Sequence, residues 1–406
     1  MTDSLRAIDT ANEANLYFGI ARLLYPMDSL KFQQENWERK PLLLQRENRD
    51  YFSELMTLAD YDHSFNLAGS HLDHLRVVLE GKETPVSELG SGSSENALEA
   101  VYSQYRSGST VVMNSTQERF PSMNRLAKSL GSDIGARIQI NSYLTPANAR
   151  GFAPHYDMHD VFIVQVHGTK RWQLFESPLP LPLRTQPYKR DQPVPALVSE
   201  FDLKAGDLLY LPRGTVHAGT STDEASLHLT LGVHTILWAD VLHEAVQKLV
   251  ETDVKYRGGL PMGFTGSAEI QQQVRSTLTE LVVSLSSEID IDDAVATAVT
   301  QGVSLNAPAL QGHLMDLERL DEITPETEVQ RRLPIQWNLT VNEQTVNLDF
   351  HGKTVRFPAD VADEVRFTAQ RGSGVFTAAT IPGELDEAGR LVLVRKLVDE
   401  GFLTFA

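Results

Sequence analysis

The stretch NSYLTPANARGFAPHYDMHDVFIVQVHGTKRW, residues 141–172, decides the reading of this chain. Its pattern is strand, loop, strand, a tight turn at Gly168, and strand. At its centre stands His155-Tyr156-Asp157, and His217 follows inside GDLLYLPRGTVHAG, residues 206–219. Side chains two apart on an extended chain point to one side, so His155 and Asp157 can reach one metal ion. His217 comes after the turn Pro212-Arg213-Gly214 and opens a strand that can run beside the first. Two imidazoles and one carboxylate are the ligand set of a non-haem Fe(II) oxygenase, which leaves metal positions open for cosubstrate and oxygen. Zn, Mn, Ni or Co fit the same donors. The histidines bind only when neutral, so affinity should fall at acid pH.

The motif alone carries little weight. With 12 histidines and 54 acidic residues in 406, chance gives 12 × 54/406, about 1.6, matches to His-x-Asp/Glu. The chain has two, at His155 and at His71-Leu72-Asp73. Context separates them. His155 is followed by an apolar strand, Val161 to Val166, then Gly168 and a strand carrying Lys170, and Gly-Asp-x-x-x-x-Pro-x-Gly-x-x-His supplies His217. His71 has no such sequel and reads as a helix surface or cap. The plain alternative for His155, Asp157 and His217 is a set of core or surface residues without a metal.

From Ala136 to Val233 the pattern is β. Arg137, Gln139, Asn141 and Tyr143 alternate with Ile138, Ile140, Ser142 and Leu144; Ser226, His228, Thr230 and Gly232 alternate with Leu227, Leu229, Leu231 and Val233. Each strand has one polar and one largely apolar row. In a sandwich the polar row faces water; in a barrel holding a charged ligand it faces inward, with the apolar row covered by helices or a second sheet. Lys170 and Trp172 share one strand face, Arg171 and Gln173 the other. An inward lysine needs an anion, and a dicarboxylate would supply one; an outward one is merely solvated. Tyr143 and Thr230 could donate to the same carboxylate or serve as structural hydroxyls.

Working outward, 41% of the 406 residues are hydrophobic, and a scale of roughly 150 residues per domain gives two or three units. The net charge of -18 argues against bulk attraction to nucleic acid. Zero cysteines exclude disulfides, thiolate metal sites and cysteine nucleophiles. No signal peptide and no membrane span are expected, and the cytoplasm is the default location. Before the β region we expect a helix running into Pro41-Leu42-Leu43-Leu44, an exposed Gly/Ser-rich loop from Glu83 to Asn96, a helix from Ala97 to Arg106, a strand from Ser109 to Asn114 and a helix from Pro121 stopped at Gly131. The Pro-rich SPLPLPLRTQPYKRDQPVP reads as an ordered surface loop. After it, helices are expected from Trp238, over 268–285 and through 286–333. The tail from about 334 reads as strands around Gly352, helices over 360–370 and 386–400 and a last strand from Phe402, a winged-helix-like module. Residues 334–406 hold 7 Lys+Arg against 10 Asp+Glu, so a protein-interaction or structural role suits it better than DNA binding.

These residues resemble the JmjC-type ribosomal oxygenases, the cupin-4 group. The likeness runs from Trp37-x-x-Lys40-Pro-Leu-Leu-Leu44 through Gly108-Ser-Thr-Val-Val to SLHLTLGV, roughly residues 30–235. It implies an α+β chain with a double-stranded β-helix core. The expected units are a catalytic domain over 1–236, a helical dimerisation region over 237–333 and a winged-helix-like module over 334–406. It implies an Fe(II)- and 2-oxoglutarate-dependent hydroxylase of a ribosomal-protein side chain, with metal ligands His155, Asp157 and His217. Lys170 would anchor the 2-oxoglutarate, with Tyr143, Thr230 and Asn141 in its pocket. A lysine at 170 resembles the histidyl-hydroxylase branch; the arginyl branch tends to carry arginine. Met158, His159 and Arg150 stand where a target could touch. The rival readings are a 2-oxoglutarate oxygenase acting on another protein, tRNA or a small metabolite, and a metal-binding cupin scaffold without turnover.

Overall fold

The computed structural model describes residues 18–67, 72, 74–89, 94–189, 192–372 and 374–406. His71 and Asp73 lie outside the described residues, as do 1–17. The β core opens with β1 (Leu42–Leu44), β2 (Leu75–Leu79), β3 (Lys82–Pro85), β4 (Thr110–Met113) and β5 (Arg137–Thr145). It continues with β6 (Asp160–His167), β7 (Thr169–Phe175), β8 (Leu197–Lys204), β9 (Leu208–Leu211), β10 (His217–Ser221) and β11 (Ser226–His234). An eight-stranded sheet runs β1-β9-β6-β11-β5-β4-β2-β3, and a three-stranded sheet runs β10-β7-β8. This is the expected double-stranded β-helix.

The alternating rows divide the labour. The apolar row of β5 and β11 (Ile138, Ile140, Leu144, Leu227, Leu229, Leu231, Val233) packs outward into the main core. Helix α5 (Pro121–Ile134) covers it with Met123, Leu126, Ala127 and Leu130, spaced i, i+3, i+4, i+7. Pro121 sits in its first turn, where a missing N–H costs nothing. The helix does not stop at Gly131. It runs on to Gly135, whose φ of 73° caps it. Gly131 serves a close approach instead: a Cβ there would meet Asn306 Oδ1 at 2.0 Å. The other face of the large sheet meets the small one through Val161, Ile163, Trp172, Leu174, Leu203, Leu209 and Leu211. Polar side chains of the inner rows line what remains of that space.

Elsewhere the structure departs from expectation in three places. Residues 83–96 are not one exposed loop: β2 and β3 form a hairpin around Gly81, Val86 is buried, and helix α4 (Ser94–Arg106) begins three residues before Ala97. The Gly/Ser content that follows masked a local hairpin in which Leu79 pairs with Lys82 and Arg76 with Pro85. Residues 286–333 are not helical throughout, since β12 (Val329–Arg331) pairs with β16 (Leu403–Phe405). The tail's core therefore starts before 334, with Ile323 and Val329 buried among Val346, Phe350, Val394 and Phe402. That module holds three antiparallel strands, β13 (Trp337–Val341), β14 (Thr345–Phe350) and β15 (Lys353–Pro358), with helices over 362–370 and 387–399.

Between barrel and tail lie α6 (Trp238–Thr252), α7 (Ala268–Glu288) and α8 (Ile291–Ser304). No residue of α7 is buried, although Leu278, Val282 and Val283 lie 56–67% exposed along it. An amphipathic helix normally buries its apolar stripe. Among the described residues, no helix is long and apolar enough to cross a membrane.

Candidate metal centre and anion pocket

His155 and Asp157 lie in the loop between β5 and β6, not on a regular strand. The chain is extended only locally there, where His155 forms an isolated bridge with His217. Its two backbone bonds are His217 N–H to His155 C=O at 2.8 Å and the reverse at 3.2 Å. The ligand atoms of His155, Asp157 and His217 lie within 4.8 Å of one another. The His217 Nε2 is 3.8 Å from Asp157 Oδ2.

Both rings are oriented from behind. His155 Nδ1 lies 2.9 Å from Ala153 C=O and His217 Nδ1 lies 3.0 Å from Thr215 C=O. A carbonyl only accepts, so each Nδ1 carries the proton and each Nε2 offers its lone pair to the shared point. Burial pulls His217 down to about 4, so its ring is neutral at ordinary pH. Burial pushes Asp157 upward, but the rings of His155, His159 and His217 together with Arg76 outweigh it, and the carboxyl stays below its usual range. Two imidazoles and one carboxylate facing a common point fit a divalent cation such as Fe(II).

The centre opens into a cavity of about 260 Å³. Lys170, Trp172, Tyr143, His228, Thr230 and Thr110 line it. Lys170 therefore points inward, with Trp172, while Arg171 faces out and pairs with Asp202. Lys170 is 4% exposed, and among the described residues no carboxylate lies within ion-pair distance. Its Nζ donates to Thr145 Oγ1 at 3.1 Å, which lies 3.0 Å from Thr110 Oγ1. Burial alone pulls the ammonium down to about 7. His228 Nδ1 and Trp172 Nε1 are buried, without a hydrogen-bond partner among the described residues. A buried cation and an idle indole N–H beside an open cavity fit an anionic occupant with several acceptor oxygens.

Tyr143 and Thr230 both line the cavity. Burial raises Tyr143 to about 12, so it stays a neutral hydroxyl, and its ring stacks on His228 at 4.8 Å. Asn141 is not among the lining residues: its Oδ1 accepts from Ser115 N–H at 3.0 Å. Arg150 is exposed on the loop, and His159 packs edge-on against His234 at 4.6 Å.

Sequence reasoning missed Thr145, Thr110, Gly219 and the Arg76–Glu83 ion pair at the cavity wall. Thr145 continues the row of Asn141 and Tyr143, so periodicity could have found it. The others depend on strand pairing, which local pattern does not contain. Gly219 is needed for space: a Cβ there would stand 2.8 Å from Lys170 Cε.

Comparison with known proteins bears on the same region. A JmjC domain family model matches residues 113–241. Ribosomal oxygenase 1 of Danio rerio is 31% identical over 277 residues, 65% of this chain and 50% of that protein. The bifunctional lysine-specific demethylase and histidyl-hydroxylase NO66 of Aedes aegypti is 28% identical over 344 residues, 79% of this chain and 54% of that protein. The chain thus spans about half the length of these relatives. YcfD, a ribosomal oxygenase from Escherichia coli solved with cobalt and 2-oxoglutarate, covers 94% of this chain and 98% of its own. At 15% identity and a TM-score of 0.51, that likeness speaks for the fold.

Proposed function

This chain belongs to the JmjC-domain ribosomal oxygenases, and from that premise we propose that it is an Fe(II)- and 2-oxoglutarate-dependent hydroxylase of a ribosomal-protein side chain, histidine before arginine. The observation that carries the reading is the buried Lys170, without a carboxylate partner among the described residues, facing the cavity that also holds His155, Asp157 and His217. The neighbour solved with cobalt and 2-oxoglutarate supports the same pair of ligands here. The histidyl-hydroxylase relative and Lys170 support histidine.

His155, Asp157 and His217 would hold the metal. Bound Fe(II) supplies the coupling of 2-oxoglutarate decarboxylation, with O₂, to hydroxylation of a C–H bond, yielding succinate and CO₂. Lys170 pairs with the far carboxylate of the cosubstrate. Tyr143 and Thr230 donate hydroxyls to it, and Asn141, two residues from Tyr143 on the same row, supports the pocket by holding Ser115 N–H. Trp172 and Phe152 keep water from the cavity walls. A net charge of -18 favours encounter with basic ribosomal proteins, and we infer a cytoplasmic location from that proposed target.

The test is peptide mass spectrometry of ribosomal proteins from cells carrying the wild type or His155→Ala. A gain of one oxygen on a histidine-containing peptide, only with the wild type, is expected. No difference on any ribosomal protein, with 2-oxoglutarate still turned over, would move the target to another protein, an RNA or a metabolite.

Cosubstrate affinity should depend on pH. Lys170, at about 7 in the free protein, must be protonated to pair with a carboxylate, so binding takes up a proton above that pH. The dissociation constant of 2-oxoglutarate, measured with Mn(II) in place of iron, should rise by up to ~10-fold per pH unit above 7. A constant value from pH 6.5 to 8.5 would contradict the assignment.

The exposed stripe of α7 supports a homodimer through the helical region, the commonest closed assembly. Light scattering at micromolar concentration should give about twice the 45.2 kDa chain mass, and Val282→Asp should halve it. A monomeric wild type would contradict the dimer. We read the acidic tail module as winged-helix-like and as a protein-interaction or structural unit.

A further inference from the structure

The two segments that carry the metal ligands are joined a second time, away from the cavity. Asp160 opens β6 three residues after Asp157 and is fully buried. Arg213 sits on the turn four residues before His217 and is 9% exposed. Its NH1 donates to Asp160 Oδ2 at 3.0 Å and also reaches Glu38 Oε1. Asp160 Oδ1 accepts from Tyr210 Oη at 2.8 Å, and Tyr210 Oη accepts from Glu38 N–H at 2.8 Å. The ring closes on itself through Asp160, Arg213, Glu38 and Tyr210.

The backbone bridge between His155 and His217 joins these segments at the first ligand, but it does not hold Asp157. Asp157 lies outside regular structure, and its carbonyl takes one backbone bond, from Gly214 N–H at 3.1 Å. Gly214 belongs to the same turn as Arg213, so a shift of that turn moves Asp157 and His217 relative to each other. Glu38 adds an independent sign. It is held at φ 53°, a conformation that side-chain-bearing residues rarely adopt, with its N–H and its carboxylate both committed to the ring. A strained backbone persists where its surroundings over-determine it.

We propose that Arg213 and Asp160 are positioning residues for the metal centre: their buried ion pair, anchored by Glu38 and Tyr210, fixes the distance between the Asp157 loop and the His217 turn. The proposal rests on the reading that His155, Asp157 and His217 bind a metal. None of the four ring members lines the cavity into which His155, Asp157 and His217 face. Their effect passes through the ligands they place, as outer hydrogen-bonding partners do at other metal sites.

The test uses Co(II), whose visible absorption reports ligand geometry, on the full chain. Arg213→Met should weaken Co(II) binding by ~10–100-fold and alter the visible bands. Asp160→Asn/Arg213→Met, which leaves no unpaired buried charge, should lose about as much as Arg213→Met, not the sum of two losses. Glu38→Gln, at a partly exposed site, keeps the test open should both Arg213 variants fail to fold; it should weaken binding about threefold, through the same network. Arg213→Lys should recover part of the affinity but not the original spectrum, since its ammonium keeps the charge on a shorter stem without the planar guanidinium. Folded variants with wild-type Co(II) affinity and bands, and melting temperatures lowered equally with and without Co(II), would overturn the proposal and leave a purely structural brace. A wild type that binds no Co(II), or binds it as His155→Ala does, would overturn the metal reading and this proposal with it.

Discussion

His155→Ala is expected to remove divalent-metal binding by on the order of a thousandfold and to abolish 2-oxoglutarate turnover. The expectation follows from how few donors there are. Among the described residues, a single cluster of three His, Asp or Glu side chains can hold a metal, and His155 supplies one of its two nitrogens. Its Nε2 is aimed by the Nδ1 contact to Ala153 C=O, so no neighbouring side chain is poised to replace it. The substitution should leave the fold intact, because the bridge between positions 155 and 217 is made by backbone atoms. Mn(II) or Co(II) titration, together with succinate release, measures both effects. A folded His155→Ala variant that keeps wild-type metal affinity and turnover would remove the metal from this site.

Lys170→Met is expected to move two quantities in opposite directions. Cosubstrate binding should weaken by about 2–5 kcal/mol, roughly 30- to several-thousand-fold, the usual cost of truncating one partner of a buried charged pair. The free protein, by contrast, should become more stable. Burial holds Lys170 at about 7 in the folded chain against 10.5 for an ordinary lysine. Between those values the unfolded chain binds more protons than the folded one, so stability rises with pH across that window and is lowest below it. At pH 7 the difference is on the order of 4 kcal/mol, which methionine, of similar length and uncharged, should recover. Urea unfolding without ligand, at pH 7 and pH 9, reads this. The wild type should gain stability between the two values and Lys170→Met should not. A Lys170→Met variant that is no more stable without ligand, and binds 2-oxoglutarate like the wild type, would show that Lys170 is not the anion post.

Much of this site was legible in the sequence because it is built on strands. Period-two alternation put Tyr143 and Thr230 on polar rows, and both now line the cavity. The spacing of His155, Asp157 and His217 anticipated three side chains that come together. Legibility ended where strands far apart in sequence meet. Thr110 reaches the Lys170 network only because β4 pairs with β5, and the hairpin carrying Arg76 and Glu83 arrives because β2 pairs with β4. The family resemblance puts Asn141 in the pocket, but its Oδ1 is taken by Ser115 N–H. Helix ends failed for a related reason. Gly131 looked like a stop, yet it is there to admit Asn306, from 175 positions further along.

The two rows of β5 and β11 have an evolutionary consequence. On each strand, residues that face the cavity are interleaved with residues that hold the sheet to its helices, one after another along the same backbone. Tyr143 and Leu144 are sequence neighbours that answer to different selection pressures, as are His228 and Leu229. A change in the inward set can alter which molecule is accepted with little effect on the packing behind it. A change in the outward set costs stability without retuning chemistry. Lineages built on this frame are free to drift in target preference at every second position while the barrel stays closed.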